Sequence, residues 1–428
     1  MSKITKIKGR QVFDSRGNPT VEAEVFIENG NSYSAIVPSG ASTGKHEAFE
    51  LKDKDNKLYL GKSVFKAVEN INNIISKNLK NFDVHEPEKI DKTLIELDGT
   101  KQKSKLGANS ILAVSIAVLK AKAALQGLSL FRVFGGKCTL PRPLMNIING
   151  GAHANNSLRI QEFMIRPDKS ETITDAMKVT FLVVHNLKLI LDKKKYTTTV
   201  GDEGGFAPSL STNEEAIELI IEAIEKAGFE PEKDVSLCLD VAANELYKDG
   251  KYSIRSSNFE TPEDTIEYYV DLIKKYPISS IEDPFAEDDW KSWTSFVKIT
   301  KSEIGGIVSS SNPKIQIVGD DLFATNRERL LKGINKKAAN AILIKPNQIG
   351  TLTETYDVIT LAHENGYNTI ISHRSGDTED TFIADLAVGM RSSQIKAGSL
   401  SRSERVAKYN RLIRIEEELG NSSKMVKV

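Results

Sequence analysis

Six short apolar runs in the second half of the chain each end on a residue that can carry charge or move a proton. They are "LCLD" at Asp240, "SSIED" at Glu282, "IQIVGD" at Asp320, "AILIK" at Lys345, "TIISHR" at His373 and Arg374, and "SQIK" at Lys396. Three carboxylates, with no cysteine or histidine pair at ligand spacing beside them, suit a hard cation such as Mg2+ and leave further positions to water or substrate. The cations that follow complement them. A lysine serves as a base where nearby positive charge lowers its pKa, and the Arg374 fork matches a phosphate or carboxylate through two hydrogen bonds. Singly, each acid reads as a helix cap and Lys345 as a structural ion-pair partner. Together they point to metal-assisted chemistry on an anionic substrate.

Three other stretches carry candidate chemistry. "VGDEGGFAP" (200–208) sets Asp202 and Glu203 before two glycines and a proline, which ordinarily marks a solvated turn. "NGGAHANNSLRIQEFM" offers His153, Gln161 and Glu162 near an entry strand; a lone histidine beside Gly and Ala is ordinarily structural, and Gln161 could pair with backbone. "PSGASTGKHE" (38–47) invites comparison with a phosphate-binding P-loop, but only three residues separate Gly40 from Gly44 and His46 follows Lys45, so spacing and hydroxyl both fail. What remains is a surface loop or a lid. No nucleophile-elbow sequence supports acyl transfer.

The elements that must position these residues change character along the chain. "TVEAEVFIENGNSYSAIVPSG" alternates on both sides of "ENGNS", which predicts a β-hairpin. Helical patterns follow near 62–80, 86–97 and 107–127, and "FGGKCTLPRP" (134–143) crowds Gly and Pro into a junction. Beyond about residue 235, strand alternates with helix at least six times. In "TPEDTIEYYVDLIKKY", Thr261 can cap, Pro262 suits the first helical position and Asp264 sits where a capping-box acid would. Such alternation implies a parallel sheet. Polar residues at several strand ends favour a closed barrel over an open sheet, which gathers its site at one switch point.

Composition bounds the function. The 428 residues suffice for a small domain beside a barrel, and 58 basic against 58 acidic side chains leave no field for nucleic acid or an anionic membrane. Cys138 and Cys238 are too few for a disulfide framework. With no apolar secretory stretch in "MSKITKIKGR", and the longest apolar run, 111–119, too short to span a bilayer, the expectation is a soluble cytoplasmic protein without a membrane span.

Eleven motifs in order resemble the enolase family. They are "DSRGNPTVE" (14–22), "VPSGASTGKHEA" (37–48), "KSKLGANSIL" (103–112), "NGGAHA" (149–154), "QEFM" (161–164), "VGDEGGFAP" (200–208), "SIEDPFAEDDW" (280–290), "GDDLFATN" (319–326), "IKPNQIGTLTET" (344–355), "SHRSGDTEDTFIADLAVG" (372–389) and "YNRLIRIEEEL" (409–419). The resemblance implies an α/β fold: an α+β N-terminal domain over 1–135, with a mobile active-site loop near 38–47, and a variant (β/α)8 barrel over 140–428 whose first strands are not simple β/α repeats. It implies a lyase, phosphopyruvate hydratase, that reversibly dehydrates 2-phospho-D-glycerate to phosphoenolpyruvate in glycolysis and gluconeogenesis, with two Mg2+ per active site. Asp240, Glu282 and Asp320 then resemble ligands of the tighter metal and Ser42 a ligand of the second. Lys345 resembles the base at C2, Glu203 the acid at the C3 hydroxyl and Glu162 its support. Arg374 and Ser375 match phosphate-binding positions, Lys396 a carboxylate contact, and His153, Gln161 and His373 other substrate-side positions. The expected intermediate is an aci-carboxylate stabilised by the metals.

The expected assembly is a homodimer or larger homo-oligomer. Glu22 and Arg414 match a cross-subunit pair, while Leu182 stands where many members carry an interfacial acid; "HANNSLRI" also departs from common forms. Family members are also found at cell surfaces. Two rival readings differ in class: a binding or scaffold protein that keeps the fold, and a phosphate-loop nucleotide enzyme, against which the loop spacing argues.

Overall fold

A computed structural model of the chain describes residues 1–40, 44–303 and 315–427. Three strands come first: β1 (Ile4–Phe13), β2 (Pro19–Ile27) and β3 (Ser32–Ile36) form an antiparallel meander with β2 in the middle. β2 and β3 are the hairpin that alternation predicts, with Val21, Ala23, Val25 and Ile27 buried as the period of two requires. β1 is not among the elements that alternation predicts. Its register against β2 shifts between Ile4 and Lys6, and the irregularity breaks the pattern.

The Ala- and Leu-rich helix Ala108–Leu125 lies across β2 and β3. Among the described helices it alone is long and apolar enough to cross a membrane, but 78% of it is buried inside the protein, as a core helix would be. The pattern near 62–80 becomes three short pieces, Phe65–Glu69, a wider π-type turn at Asn70–Ile75, and Ser76–Asn78. That near 86–97 is the helix Pro87–Asp98, with proline in its first turn.

Eight further strands close into a barrel: β4 (Arg142–Asn149), β5 (Glu162–Arg166), β6 (Ser236–Asp240), β9 (Ile278–Glu282), β10 (Gln316–Gly319), β11 (Ala341–Ile344), β12 (Asn368–Ser372) and β13 (Gln394–Lys396). A small hairpin, β7 (Tyr247–Lys248) and β8 (Lys251–Tyr252), lies in the connection after β6. β5 runs antiparallel to both β4 and β6, and every other barrel pairing is parallel. All six apolar runs singled out above are barrel strands. The helix Pro262–Lys275 starts as its sequence predicts, with the reciprocal Thr261–Asp264 capping box.

The barrel interior is filled in layers. Leu144, Met164, Cys238, Val318, Ala341, Leu343 and Ile370 form a closed apolar cluster at mid-height. Below it, Gln394 Nε2 donates to Gln316 Oε1 (2.6 Å) and Gln316 Nε2 donates back to Gln394 Oε1 (3.2 Å), so the two buried amides satisfy each other. Above it lie the charged strand ends.

Candidate active site

Strand register assembles the mouth. Glu162 is paired with Asp240 across β5 and β6, and Asp240 with Glu282 across β6 and β9. Because β5 is reversed, its first residue stands beside the last residues of its neighbours. Three carboxylates in adjacent register repel one another, and Lys396 answers them: its Nζ lies 2.8 Å from Asp240 Oδ2, 3.0 Å from Glu282 Oε1 and 3.1 Å from Glu162 Oε2. The last is an ion-pair distance without hydrogen-bond alignment. Burial, and then the neighbouring acids, push Glu162 (beside Glu203) and Glu282 (beside Asp240) well above the usual carboxylate range. Burial would lower Lys396, but Asp240, Glu162 and Glu282 outweigh it and hold the ammonium well above its ordinary value.

Asp320 follows β10 and forms a close ion pair with Lys345 at the end of β11. Its Oδ1 also accepts from Gln348 Nε2 at 3.0 Å, and Asp283 accepts the backbone N–H groups of Asp320 (2.9 Å) and Asp321 (2.8 Å). Burial lowers the Lys345 pKa and Asp320 raises it, with a net rise. That is opposite in sign to the lowering by nearby cations that would free the amine to act as a base; in this structure the nearest charge is a carboxylate.

"VGDEGGFAP" forms a tight turn docked on β4, with Phe206 bridging Ile148 and Gly201 N–H donating to Gly205 O at 2.9 Å. Its glycines are required. Gly204 has φ +85°, and a Cβ on Gly205 would stand 2.4 Å from Asn149 Oδ1. The turn separates the two acids: Asp202 faces outward against Arg16 (3.1 Å), while Glu203 is 3% exposed. Asn146 Nδ2 donates to Glu203 Oε2 at 3.1 Å, and Glu203 Oε1 lies 3.2 Å from His373 Nε2 and 3.7 Å from His153 Nδ1. His153 Nδ1 is also 3.5 Å from Glu162 Oε1. The His373 contact is off hydrogen-bond alignment. Burial would raise Glu203, but His373, His153 and Arg405 outweigh it and hold the carboxyl well below its usual range. Burial pushes His373 down to about 4 despite Glu203, so its ring is neutral at neutral pH.

Arg374 is buried and holds Glu47 with two nitrogens (Nη1 to Oε2, 3.0 Å; Nη2 to Oε1, 3.3 Å), while Nη1 also donates to Asn347 Oδ1 at 2.9 Å. An anion-binding fork is thus already paired with a carboxylate from the loop after residue 43. Ser375 is buried beside it, and Gln161 donates its backbone N–H to Asp240 O at 3.0 Å.

One cavity of about 330 Å3 is lined by His153, Gln161, Glu162, Glu203, Asp240, Asp320, Lys345, His373, Arg374, Ser375 and Lys396. Of the expected site residues, Glu282 stands just behind this lining on Lys396, and Ser42 lies outside the described residues. Glu47, Asp283 and Asp321 also line the cavity and Asn146 holds Glu203, and none of the four is among the expected site residues. Asn146 had a signal: a polar residue inside a strand buried at every position must find a partner.

The donors fit a hard cation. They are carboxylate oxygens, and Glu282 Oε2 is buried without a hydrogen-bond partner. Among the described residues, the groups whose ligand atoms all lie within 4.8 Å of one another are Asp283–Asp320–Asp321, His153–Glu162–Glu203 and His46–Glu287–Asp288. Asp240, Glu282 and Asp320 are instead shared between two lysines.

Comparison with known proteins agrees with this architecture. Residues 4–134 match the model of the "Enolase, N-terminal domain" and residues 137–427 that of the "Enolase, C-terminal TIM barrel domain". The chain is 58% identical to the curated enolase of Pelagibacter ubique (strain HTCC1062) over 430 residues, covering 100% of both. With a closed eight-stranded barrel, a reversed second strand and a rim of carboxylates and lysines, the chain belongs to the enolase family.

Proposed function

We propose that this protein catalyses the reversible dehydration of 2-phospho-D-glycerate to phosphoenolpyruvate, and that the residues around its cavity divide the work. One observation carries the reading: Lys345, Arg374 and Lys396 share a single cavity with Glu162, Glu203, Asp240 and Asp320. The cations suit a substrate with a phosphate and a carboxylate. A lysine and a buried glutamate suit loss of a proton from C2 and of hydroxide from C3.

In this reading Lys345 accepts the C2 proton at Nζ. Its own proton, held in the ion pair with Asp320, passes first to solvent water once that carboxylate no longer faces Nζ, which leaves the neutral amine as the base. Glu203 serves the C3 oxygen. Asn146 restrains Oε2, and the neighbouring Glu162, whose carboxyl is raised by burial and by Glu203, keeps a proton on the pair. Arg374 exchanges the Glu47 carboxylate for the substrate phosphate, beside Ser375. Lys396 orients the carboxylate, and His153, Gln161 and His373 complete the substrate side. Asp240, Glu282 and Asp320 would hold one Mg2+, and Ser42 would contribute to a second. When bound, these ions stabilise the charge that gathers on the substrate carboxylate as C2 is deprotonated.

Assembly as a homodimer or larger homo-oligomer belongs to the same reading. An exposed aromatic row, Phe13–Tyr59–Phe65, with ring centroids 6.0 and 6.2 Å apart, supports it, and sedimentation velocity tests it. Two free cysteines accord with a cytoplasmic site of action.

A coupled assay for enolpyruvate formation, run with Mg2+ on the wild type, Lys345→Ala and Glu203→Gln, tests the chemistry. Wild-type turnover is expected, with a loss on the order of 100-fold or more in each variant. No turnover with Mg2+, or turnover indifferent to a chelator and to Lys345→Ala, sinks the reading.

A further inference from the structure

We infer that Arg405 is a positioning residue that fixes the proton of His373 on Nε2, the ring nitrogen nearer Glu203, and pins together the chain segments carrying both. This deepens the functional reading above and rests on it for the importance of Glu203.

Arg405 lies in the first turn of the helix Ser403–Leu419 and is 0% exposed. Its Nη1 lies 2.5 Å from His373 Nδ1 and donates to Arg374 O at 2.6 Å. Its Nη2 donates to Ser375 O at 2.7 Å and to Asp202 O at 3.2 Å. A guanidinium has five N–H donors, no acceptor, and stays protonated in proteins. His373 Nδ1 must therefore be the acceptor. A neutral imidazole that accepts at Nδ1 carries its hydrogen on Nε2, and Nε2 is the atom 3.2 Å from Glu203 Oε1. An imidazolium would set N–H against N–H at Nδ1.

The same side chain controls the other end of that contact. Asp202, whose carbonyl Arg405 holds, immediately precedes Glu203 in the turn. One guanidinium thus spans the 202–203 turn and the 373–375 strand end, with Ser15 Oγ at 3.4 Å from a third segment. Its carboxylate neighbours are peripheral: Glu404 Oε1 lies 3.2 Å from Nε, and Asp377, 3.9 Å from Nη1, receives Lys408 Nζ at 2.5 Å. A role limited to holding backbone carbonyls would not require the contact to Nδ1. The charged groups facing His373 are Glu203, Arg405 and Asp377.

The test reads the tautomer directly. The wild-type protein is labelled with 15N-histidine, long-range 1H–15N correlation is recorded, and His373 is identified among the 6 histidines by its loss in His373→Gln. The expected spectrum is that of the neutral Nε2–H form at pH 7; an Nδ1–H form or an imidazolium there overturns the inference without any Arg405 variant having to fold. In Arg405→Lys, one ammonium cannot serve the ring and three carbonyls together. There the tautomers should mix, and kcat for 2-phosphoglycerate should fall about tenfold or more with KM changed less than about threefold. A fall in kcat with the tautomer unchanged leaves Arg405 a merely structural residue and also overturns it. A wild type that turns over no 2-phosphoglycerate counts against the functional reading instead, since the tautomer spectrum is independent of activity.

Discussion

Two layers of the barrel interior lie one pleat repeat apart and obey opposite rules. At mid-height stand Leu144, Met164, Cys238, Val318, Leu343 and Ile370. Two residues away on the same strands, at the mouth, stand Asn146, Glu162, Asp240, Asp320, Lys345 and Ser372. Side chains two apart share a face, so both layers point inward and both are largely buried. The lower layer stabilises by excluding water. The upper layer buries like charges in register and depends on Lys396 and Lys345 to offset them, a costly arrangement for stability. The difference teaches that a pleat lets a protein place function directly on top of stability without mixing the two.

The largest break in this comparison is expected from Lys345→Ala in the upper layer. Turnover should fall by roughly 10^4-fold while the far-ultraviolet circular dichroism stays that of the wild type; equal losses of turnover and of folded structure would erase the distinction between the layers. Ile370→Ala, in the lower layer, should do the reverse: about 2–4 kcal/mol lost in urea unfolding, with kcat per folded molecule within about threefold.

Acid should also tell the layers apart. His373 is buried and neutral, with its pKa pushed down to about 4 from an ordinary 6.5. A folded pKa below the unfolded one means that the unfolded chain binds the proton first as pH falls. The contribution is therefore complete above about pH 6.5 and is lost progressively down to about pH 4, amounting to roughly 3 kcal/mol. His373→Gln should flatten that part of the Tm profile; an unchanged slope would show that the ring is not held neutral. The smallest effect is expected from Glu47→Gln. Relieved of its carboxylate partner, Arg374 should bind inorganic phosphate about threefold more tightly at low salt, as measured by calorimetry, and no change would mean that Glu47 does not compete for the fork.

Much of the site was legible because each charged residue ends an apolar run. A strand that stops at the mouth of a barrel must deliver its last side chain there, so Asp240, Glu282, Asp320, Lys345, His373, Arg374 and Lys396 all arrive at or against one cavity. β1 was not legible, because its register irregularity interrupts the alternation on which the reading depends. The sequence also cannot show that lysines in this structure take the carboxylates singled out for a cation; that is a matter of distances across the barrel. Arg405 left no signal, since it sits among the ordinary charges of "SRSERVAK" and its partners are mainly carbonyls from distant segments.

The reversal of β5 has a consequence of parity. In a regular β/α repeat, one helix carries the chain from mouth to base. Because β5 ends at the base and β6 begins there, an odd number of helices cannot join them. The chain climbs by Ile173–Lys193 and descends by Asn213–Lys226, and the summit between those two helices is the turn that carries Glu203. Turning one strand around thus merges two strand-end visits to the mouth into the single β4–β5 loop, and the helix-to-helix turn restores the visit so lost; the buried glutamate stands there, on a turn between helices and not at a strand end.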